Sequence, residues 1–298
     1  MKLIKASFNI IEQGPSIDGI YKIIEQAGRV CYKSEDKITE DSAKGFVGRM
    51  VKSGHGAMLE HGTVYLFLTM SSRQQYFKYC SNPYSVANST GEAEKGTWNG
   101  FVTTNYRVLV ENGWLDDLEY ICNPGKEHEK RITVRFVCDR GVSHEFVRHR
   151  VFSFAQESTR YCNYSKDKFN NCITYILPVW CKNVNIEDYE KNPKLMYNAN
   201  GILTDNEINF LCGLYDTESR YLKLLENGWT PQQARAVLPN SLKTELVVTG
   251  FASDWEHFFK LRDAGSAHPQ ARELAHPLHM EFLRRGYITD LYDVDNPD

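Results

Sequence analysis

The chain has 298 residues, 42% of them hydrophobic, and its 35 Lys plus Arg against 38 Asp plus Glu give a formal net charge of −3. That length and apolar content can build one large domain or two small ones, of which a single domain spanning 1–298 is expected. The charge balance excludes the broad basic excess of many nucleic-acid binders. No run approaches the roughly 20 apolar residues of a membrane helix, and "MKLIKASFNIIEQGPS" lacks a signal peptide's apolar block, so a soluble cytoplasmic protein with no membrane partner is expected. Eight cysteines occur without a CxxC pair, which argues against a zinc ribbon or a redox dithiol and for buried reduced thiols.

In chain order, "LIKASFNIIEQ" reads as a strand, and "SIDGIYKIIEQAGRVCY" sets Ile20, Ile23, Ile24 and Ala27 at helical spacing. "TEDSAKGFVGRMVKSGHG" predicts a second helix with Phe46, Val47, Met50 and Val51 inward, closed by Gly54. "TVYLFLT" is β-branched and aromatic and predicts a strand. The polar, mixed stretch of about 71–130 looks like an insertion. In it "NSTGEAEKGTWNG" has loop chemistry and "TNYRVLVENGW" predicts a helix. Strand character returns at "RITVRFVCD", whose alternation of Ile132, Val134, Phe136 and Cys138 turns one face inward, and "GVSHEFVRHR" follows as a short helix.

Three capping boxes, Thr204 to Glu207, Thr230 to Gln233 and Ser253 to Glu256, mark helix starts, the second with Pro231 at the favoured first position. The first opens a long helix that ends at Asn227-Gly228. "LKTELVVTGF" predicts a strand, and a final helix from about Pro269 to Arg285 carries Ala271, Leu274, Ala275, Leu278 and Phe282 on one face, with a kink at Pro277. The order lacks regular βαβ alternation, so an α+β fold is expected.

Positive charge concentrates in "EFVRHRVFSFAQESTRYCNYS", where Arg148, His149, Arg150 and Arg160 stand among Phe152, Phe154 and Tyr161. A local cationic pocket of this kind suits a small phosphorylated ligand whose phosphate is paired by guanidinium forks. Arg235 in "QQARAVLP" and Arg262 in "HFFKLRDAG" sit next to apolar segments, where a guanidinium must be paired, either to an internal carboxylate or to a ligand. Phe152 and Phe154 read as core. The pairs His55/His61 and His144/His149 match neither HExxH nor a Cys/His finger, so no metal site is expected. "SSRQQYFKYCSNPYS" mixes cations and aromatics as single-strand binders do, but flanking acids make it a solvated surface or a substrate lid.

These blocks resemble the flavin-dependent thymidylate synthases. "RHRVFSFAQES" is similar to that family's signature, an Arg-His-Arg triplet followed by seven residues and a Ser, and "STRY" continues it. "ARAVLP", "LKTELVVTG" and "FFKLR" follow in the family's order with its separation of 27 between Arg235 and Arg262, and "AGRVCY" and "SGHGAMLEH" resemble its N-terminal blocks. The resemblance covers most of the chain outside about 71–130 and 165–200.

It implies FAD-mediated conversion of dUMP to dTMP, with methylenetetrahydrofolate as carbon donor and NADPH as reductant, in an α+β homotetramer with active sites between subunits. Residues implied to contact FAD are Glu60, Arg148, His149, Arg150, Gln156 and His257. Those implied to hold substrate are Glu145, Arg148, Gln156, Glu157, Ser158, Thr159, Arg160, Arg235 and Arg262, with Arg262 stabilising negative charge on the uracil ring.

Elementary chemistry agrees with that last role. Uracil must become electron-rich at C5 to attack a one-carbon unit, and a fixed guanidinium at the ring's edge favours the anionic form. No covalent Cys adduct is implied, and no Cys adjoins a His in the sequence. The chain departs from the family pattern at Phe251, Ser253, His257 and His268, has Glu145 where a Gln commonly precedes RHR, and has Gln156 where some members carry Glu. A noncatalytic nucleotide- or RNA-binding protein that retains the cationic pocket is the alternative.

Overall fold

Alternation along 131–139 sends Ile132, Val134, Phe136 and Cys138 to one face of a strand, and all four are buried there against Trp255, Phe258, Phe259, Leu274 and Phe282. Burying each such large side chain stabilises by roughly 1.5–3 kcal/mol, so this face fixes the sheet's orientation. The protein was analysed as a computed structural model, which describes residues 1–191 and 201–289.

Its elements are β1 (Lys2–Ile4), β2 (Ser7–Ile11), α1 (Ser16–Tyr32), α2 (Ser42–Lys52), α3 (Gly56–Leu59), β3 (Thr63–Thr69), α4 (Arg73–Cys80), β4 (Val86–Thr90), β5 (Asn99–Asn105) and α5 (Tyr106–Asn112). There follow β6 (Arg131–Asp139), α6 (Arg140–Phe146), β7 (Ser153–Gln156), β8 (Thr174–Ile176), α7 (Ile186–Lys191), α8 (Asp205–Glu226), α9 (Pro231–Ala234), β9 (Lys243–Phe251), α10 (Ala252–Arg262) and α11 (Pro269–Arg284). A four-stranded antiparallel sheet in the order β2-β6-β9-β7 forms the centre, beside a three-stranded sheet β3-β5-β4 and a parallel pair β1-β8. The fold is α+β, as expected.

Helices α10 and α11 cover the apolar face of the central sheet. On the opposite face Val247 and Ala155 pack against Ala27 and Val30 of α1, leaving the charged and hydroxyl side chains of β6 and β9 to be satisfied there. The expected inward residues of α1 (Ile20, Ile23, Ile24, Ala27) and of α11 are all buried. In α2 Phe46 and Val47 are buried and Met50 is partly so, whereas Val51 is 39% exposed. Phe152 is buried and Phe154 packs against the same core, as read.

Several expectations change. The first strand is two strands in different sheets: β1 pairs with β8 and β2 with β6. The loop reading of "NSTGEAEKGTWNG" holds for 91–98, but the ends of the segment belong to β4 and β5, which pair across this turn with Gly91 and Gly96 at positive φ. Trp98 and Tyr76 close over Gly100, where a Cβ would collide with both rings. The aromatics of α4 accordingly divide: Tyr76 and Tyr79 enter the core, and Phe77 stays 53% exposed. Polar threonines disguise this hairpin, since pairing with β3 decides its register.

The boxes at Thr204 and Thr230 form as read. The third does not. Helix α10 starts two residues early because Asp254 accepts the Phe251 N–H at 3.1 Å, and the Ser253 N–H goes instead to Glu129 at 3.1 Å. Helix α11 continues unbroken through Pro277. Of the cysteines, Cys138, Cys162 and Cys181 are buried but Cys80 is exposed; all eight are free thiols.

Candidate active site

Asp139, the last residue of β6, accepts the Val142 N–H at 2.7 Å and so starts α6, which ends at Phe146. The Arg-His-Arg triplet therefore lies on the turn beyond that helix, not within it as read from the sequence. Phe152 anchors the far side of the turn by lying over Gly250 of β9, a position where any Cβ would overlap its ring. Between these anchors the buried His149 faces the protein while Arg148 and Arg150 point to solvent.

Arg262, at the C-terminus of α10, reaches this turn and is held on three sides. Its Nε donates to His149 Nε2 at 3.0 Å, Nη1 to Glu145 Oε2 at 2.5 Å and Nη2 to the Glu145 carbonyl at 2.8 Å. A planar fork with fixed donors can meet three acceptors at once; an ammonium cannot. Because His149 Nε2 accepts, the ring is neutral with its proton on Nδ1. Burial, reinforced by the positive charge of Arg262 and by His257, pushes its pKa down to about 4. His257 completes the group, its ring centroid 6.1 Å from that of His149.

A second cluster forms beyond β7. The Ser158 N–H donates to the Cys31 carbonyl at 3.0 Å, tying this turn to the end of α1, and Ser158 Oγ accepts the Arg160 N–H at 3.3 Å. Arg235 Nη1 donates to Thr159 Oγ1 at 3.2 Å, and Arg160 Nε reaches Gln232 at 3.4 Å. Both guanidinium groups are exposed and neither is paired with a carboxylate among the described residues. Two unneutralised forks beside Ser and Thr hydroxyls suit a phosphate monoester.

The remaining predicted residues fall elsewhere. Gln156 is held by its Nε2, which donates to Ser143 Oγ at 2.8 Å and Thr244 Oγ1 at 3.3 Å, placing it between the two clusters along β7. Glu157 turns inward: only 2% exposed, it pairs with Lys243 at 2.8 Å. It belongs to a buried network in which Lys33, Lys243 and Arg135 all converge on Glu245, while Lys33 and Arg135 also reach Glu35. Burial works to raise the Glu245 carboxyl, yet Lys243 and Lys33 hold it down to about 2. Glu60 pairs with Arg107 at 2.5 Å and its carbonyl accepts from Arg131 at 3.0 Å, in a cavity of about 250 Å³ with Asn82 and Asn105. No contact among the described residues joins it to Arg262. A cavity of about 560 Å³, bordered by Gln13, Tyr65, Lys130 and Arg131, contains none of the predicted residues.

The family model described as thymidylate synthase complementing protein matches residues 127–284, just over half of the chain and the segment that holds both arginine clusters. The chain belongs to that family. Curated relatives include the flavin-dependent thymidylate synthase of Pyrococcus furiosus, 28% identical over 195 residues that cover 64% of this chain and 71% of the relative. That of Mycobacterium avium is 23% identical over 274 residues, covering 90% and 76%. Among solved structures, a UMP/dUMP methylase from Streptomyces cacaoi bound with 5-Br dUMP aligns over 95% of this chain and 93% of its own, at 17% identity and a TM-score of 0.41. Thymidylate synthase X from Helicobacter pylori with FAD and dUMP aligns over 92% and 91%, at 16% identity and a TM-score of 0.39.

Sequence reasoning missed the residues that support this thymidylate synthase-family site from behind: Ser143 and Thr244 under Gln156, Cys31 under Ser158, and the charged network beneath β9. One signal was available. In "LKTELVV" Lys243 and Glu245 alternate with Thr244 and Leu246, which places two charges on one face of a strand that is otherwise core.

Proposed function

We propose that the whole chain is one catalytic domain that converts dUMP to dTMP, with FAD as cofactor, methylenetetrahydrofolate as carbon donor and NADPH as reductant. The observation that carries this reading is the meeting of Arg262, His149 and Glu145 inside the family-matched segment. FAD fits the residues present: Arg148 and Arg150 are exposed guanidinium groups with no hydrogen-bond or ion-pair partner among the described residues, as a pyrophosphate requires. When bound, FAD would supply the two-electron reduction that turns a one-carbon bridge into a methyl group.

The chain's own residues do the rest. Arg160 and Arg235, with the Ser158 and Thr159 hydroxyls, bind the phosphate of dUMP and fix the position of its ring. Arg262 retains one uncommitted N–H on each terminal nitrogen, and these donate to a uracil carbonyl as negative charge builds on the ring. His149 stays neutral and acts as an acceptor that sets the angle of the fork. Gln156, held by Ser143 and Thr244, contributes to both the flavin and the substrate contacts. Glu60 and His257 contribute to the flavin side, and Glu157 supports the phosphate turn from beneath.

The exposure of Arg148, Arg150, Arg160 and Arg235 on one chain supports a homotetramer whose sites are completed by neighbouring subunits. A cytoplasmic location is part of the same reading; among the described residues no helix is long and apolar enough to cross a membrane. The test is dTMP formation by the FAD-loaded protein under anaerobic conditions. Product is expected only when dUMP, methylenetetrahydrofolate and NADPH are all present. A fully flavin-loaded protein that makes no dTMP, or one that purifies with RNA and no flavin bands, overturns the reading.

A further inference from the structure

The cavity of about 560 Å³ holds none of the residues assigned above to dUMP or FAD. It opens where β3 and the 121–124 loop meet the end of β2, the first turn of α1 and the start of β6, and its volume falls within the roughly 300–1,000 Å³ of small-molecule sites. Two cations border it without a carboxylate partner among the described residues. Lys130 is exposed, its ammonium 5.3 Å from the centre of the Tyr287 ring. Arg131 lies deeper. Its Nη1 donates to the Glu60 carbonyl at 3.0 Å and Thr63 Oγ1 at 3.4 Å and its Nη2 to Ser153 Oγ at 3.4 Å, all neutral acceptors, while Nε is buried with no hydrogen-bond partner among the described residues. The carboxylates at hand are committed elsewhere: Glu60 to Arg107 at 2.5 Å, and Glu12, which also borders the cavity, to Arg285 at 2.6 Å and Tyr287 at 2.8 Å. Burial pushes the Arg131 pKa down to about 10, which still leaves it charged at neutral pH. A guanidinium in that position is costly until an anion meets it.

We propose that this cavity is an anion-binding site separate from the one assigned to dUMP and FAD, which takes the phosphate of a small organic phosphate between Lys130, Arg131 and the first turn of α1 and lays its apolar part against Ile10, Ile121 and Tyr65. Two cations without carboxylate partners match a phosphate monoester, which carries about −1.5 to −2 at pH 7, better than a carboxylate with its single charge. Helix α1 runs 17 residues from Ser16 and no side chain caps its N-terminus, so the N–H groups of its first turn add donors where Gly14, Pro15 and Ser16 border the cavity. Asp18, the acid of that turn, does not border it. Tyr65 Oη accepts the Arg131 backbone N–H at 3.2 Å, which leaves its own proton for a phosphate oxygen. The inference is independent of the dUMP reading, because none of these residues serves it.

The test is calorimetry of phenyl phosphate and inorganic phosphate on the FAD-loaded protein, in an Arg160→Ala background that weakens the other phosphate site, with and without Lys130→Ala. Phenyl phosphate should bind Arg160→Ala at one site per chain and about tenfold more tightly than inorganic phosphate, because its ring leaves water for an apolar wall. Adding Lys130→Ala should weaken it about tenfold or more, as loss of a charged hydrogen bond does. Lys130 is exposed, so its truncation keeps the fold, and Lys130→Ala alone should form dTMP at the wild-type rate. Arg131→Gln should weaken phenyl phosphate further; if that variant does not fold, Lys130→Ala decides. No binding of phenyl phosphate to Arg160→Ala, or binding that Lys130→Ala leaves unchanged, overturns the site. Equal affinity for the two phosphates overturns the apolar subsite, and loss of dTMP formation in Lys130→Ala overturns its separation from the active site. Failure of the wild type to form dTMP refutes the functional reading alone.

Discussion

Replacing Arg262 by Lys tests the centre of the site without removing its charge. Arg262 meets three acceptors through three nitrogens, at 3.0 Å to His149 and at 2.5 and 2.8 Å to the carboxylate and carbonyl of Glu145. A lysine ammonium can keep the ion pair with Glu145 but gives up the other two bonds. Hydrogen bonds that involve a charged group contribute about 1.5–3 kcal/mol each, and water recovers part of that at a partly open site, so a net loss of about 3 kcal/mol is expected. With 1.4 kcal/mol per tenfold, a loss felt mainly in the transition state lowers kcat by about 100-fold. Binding of dUMP should weaken by no more than about tenfold, because the phosphate anchor proposed at Arg160 and Arg235 lies on a different turn. Anaerobic single-turnover reoxidation of the reduced flavin reads the chemical step, and calorimetry reads dUMP binding. Turnover within about threefold of wild type in a folded, FAD-loaded Arg262→Lys variant would show that neither the fork nor its two lost bonds matter to the reaction.

Three further outcomes are expected. Arg160→Ala should weaken dUMP binding by about 2–5 kcal/mol, as loss of one member of a charged hydrogen-bonded pair does, and leave affinity for deoxyuridine, which has no phosphate, unchanged; calorimetry on both ligands checks this. Mixing inactive Arg148→Ala and Arg160→Ala chains should restore activity in proportion to mixed interfaces, if flavin-side and phosphate-side residues of one site come from different subunits; verified mixed tetramers as inactive as either parent would place the site within one chain. Acid should destabilise the fold through two histidines held neutral, His149 with its pKa lowered to about 4 and His61 with its pKa lowered by burial and Arg131 to about 3. Below about pH 6.5 the unfolded chain binds protons at these rings that the folded chain refuses, so stability present at neutral pH is lost as pH falls toward those values. Between pH 7.5 and pH 5 the loss is about 2 kcal/mol per ring, readable as a drop in the urea midpoint that His61→Gln reduces.

Much of this protein could be read from its residues because the decisive signals are local. The alternation at 131–139, the capping boxes at Thr204 and Thr230 and the helical stripes of α1 and α11 reflect backbone geometry within a few residues, and each formed where it was expected. The arginine-rich run and the separation of Arg235 and Arg262 likewise pointed to the family, whose model matches residues 127–284. Where a local signal competed with pairing partners far away, the sequence pointed the wrong way. The polar 86–105 hairpin is a hairpin because β3 supplies its third strand, and α10 starts at Ala252 because Asp254, not Ser253, reaches the free N–H at the strand's end.

The site divides in the same manner. Residue types and order determined which side chains carry charge, but only the packing of α10 against the turn after α6 brings Arg262 to His149 and Glu145, more than a hundred positions earlier in the chain. Only the tertiary structure separates residues that lie adjacent in the sequence. Glu157 is drawn into a buried ion network because Lys243 waits beneath it, whereas Arg160, three residues on, stays in solvent with its charge free. The physical reason is that a charge's role depends on what neutralises it, and its neutralising partner is chosen by the fold rather than by its neighbours along the chain.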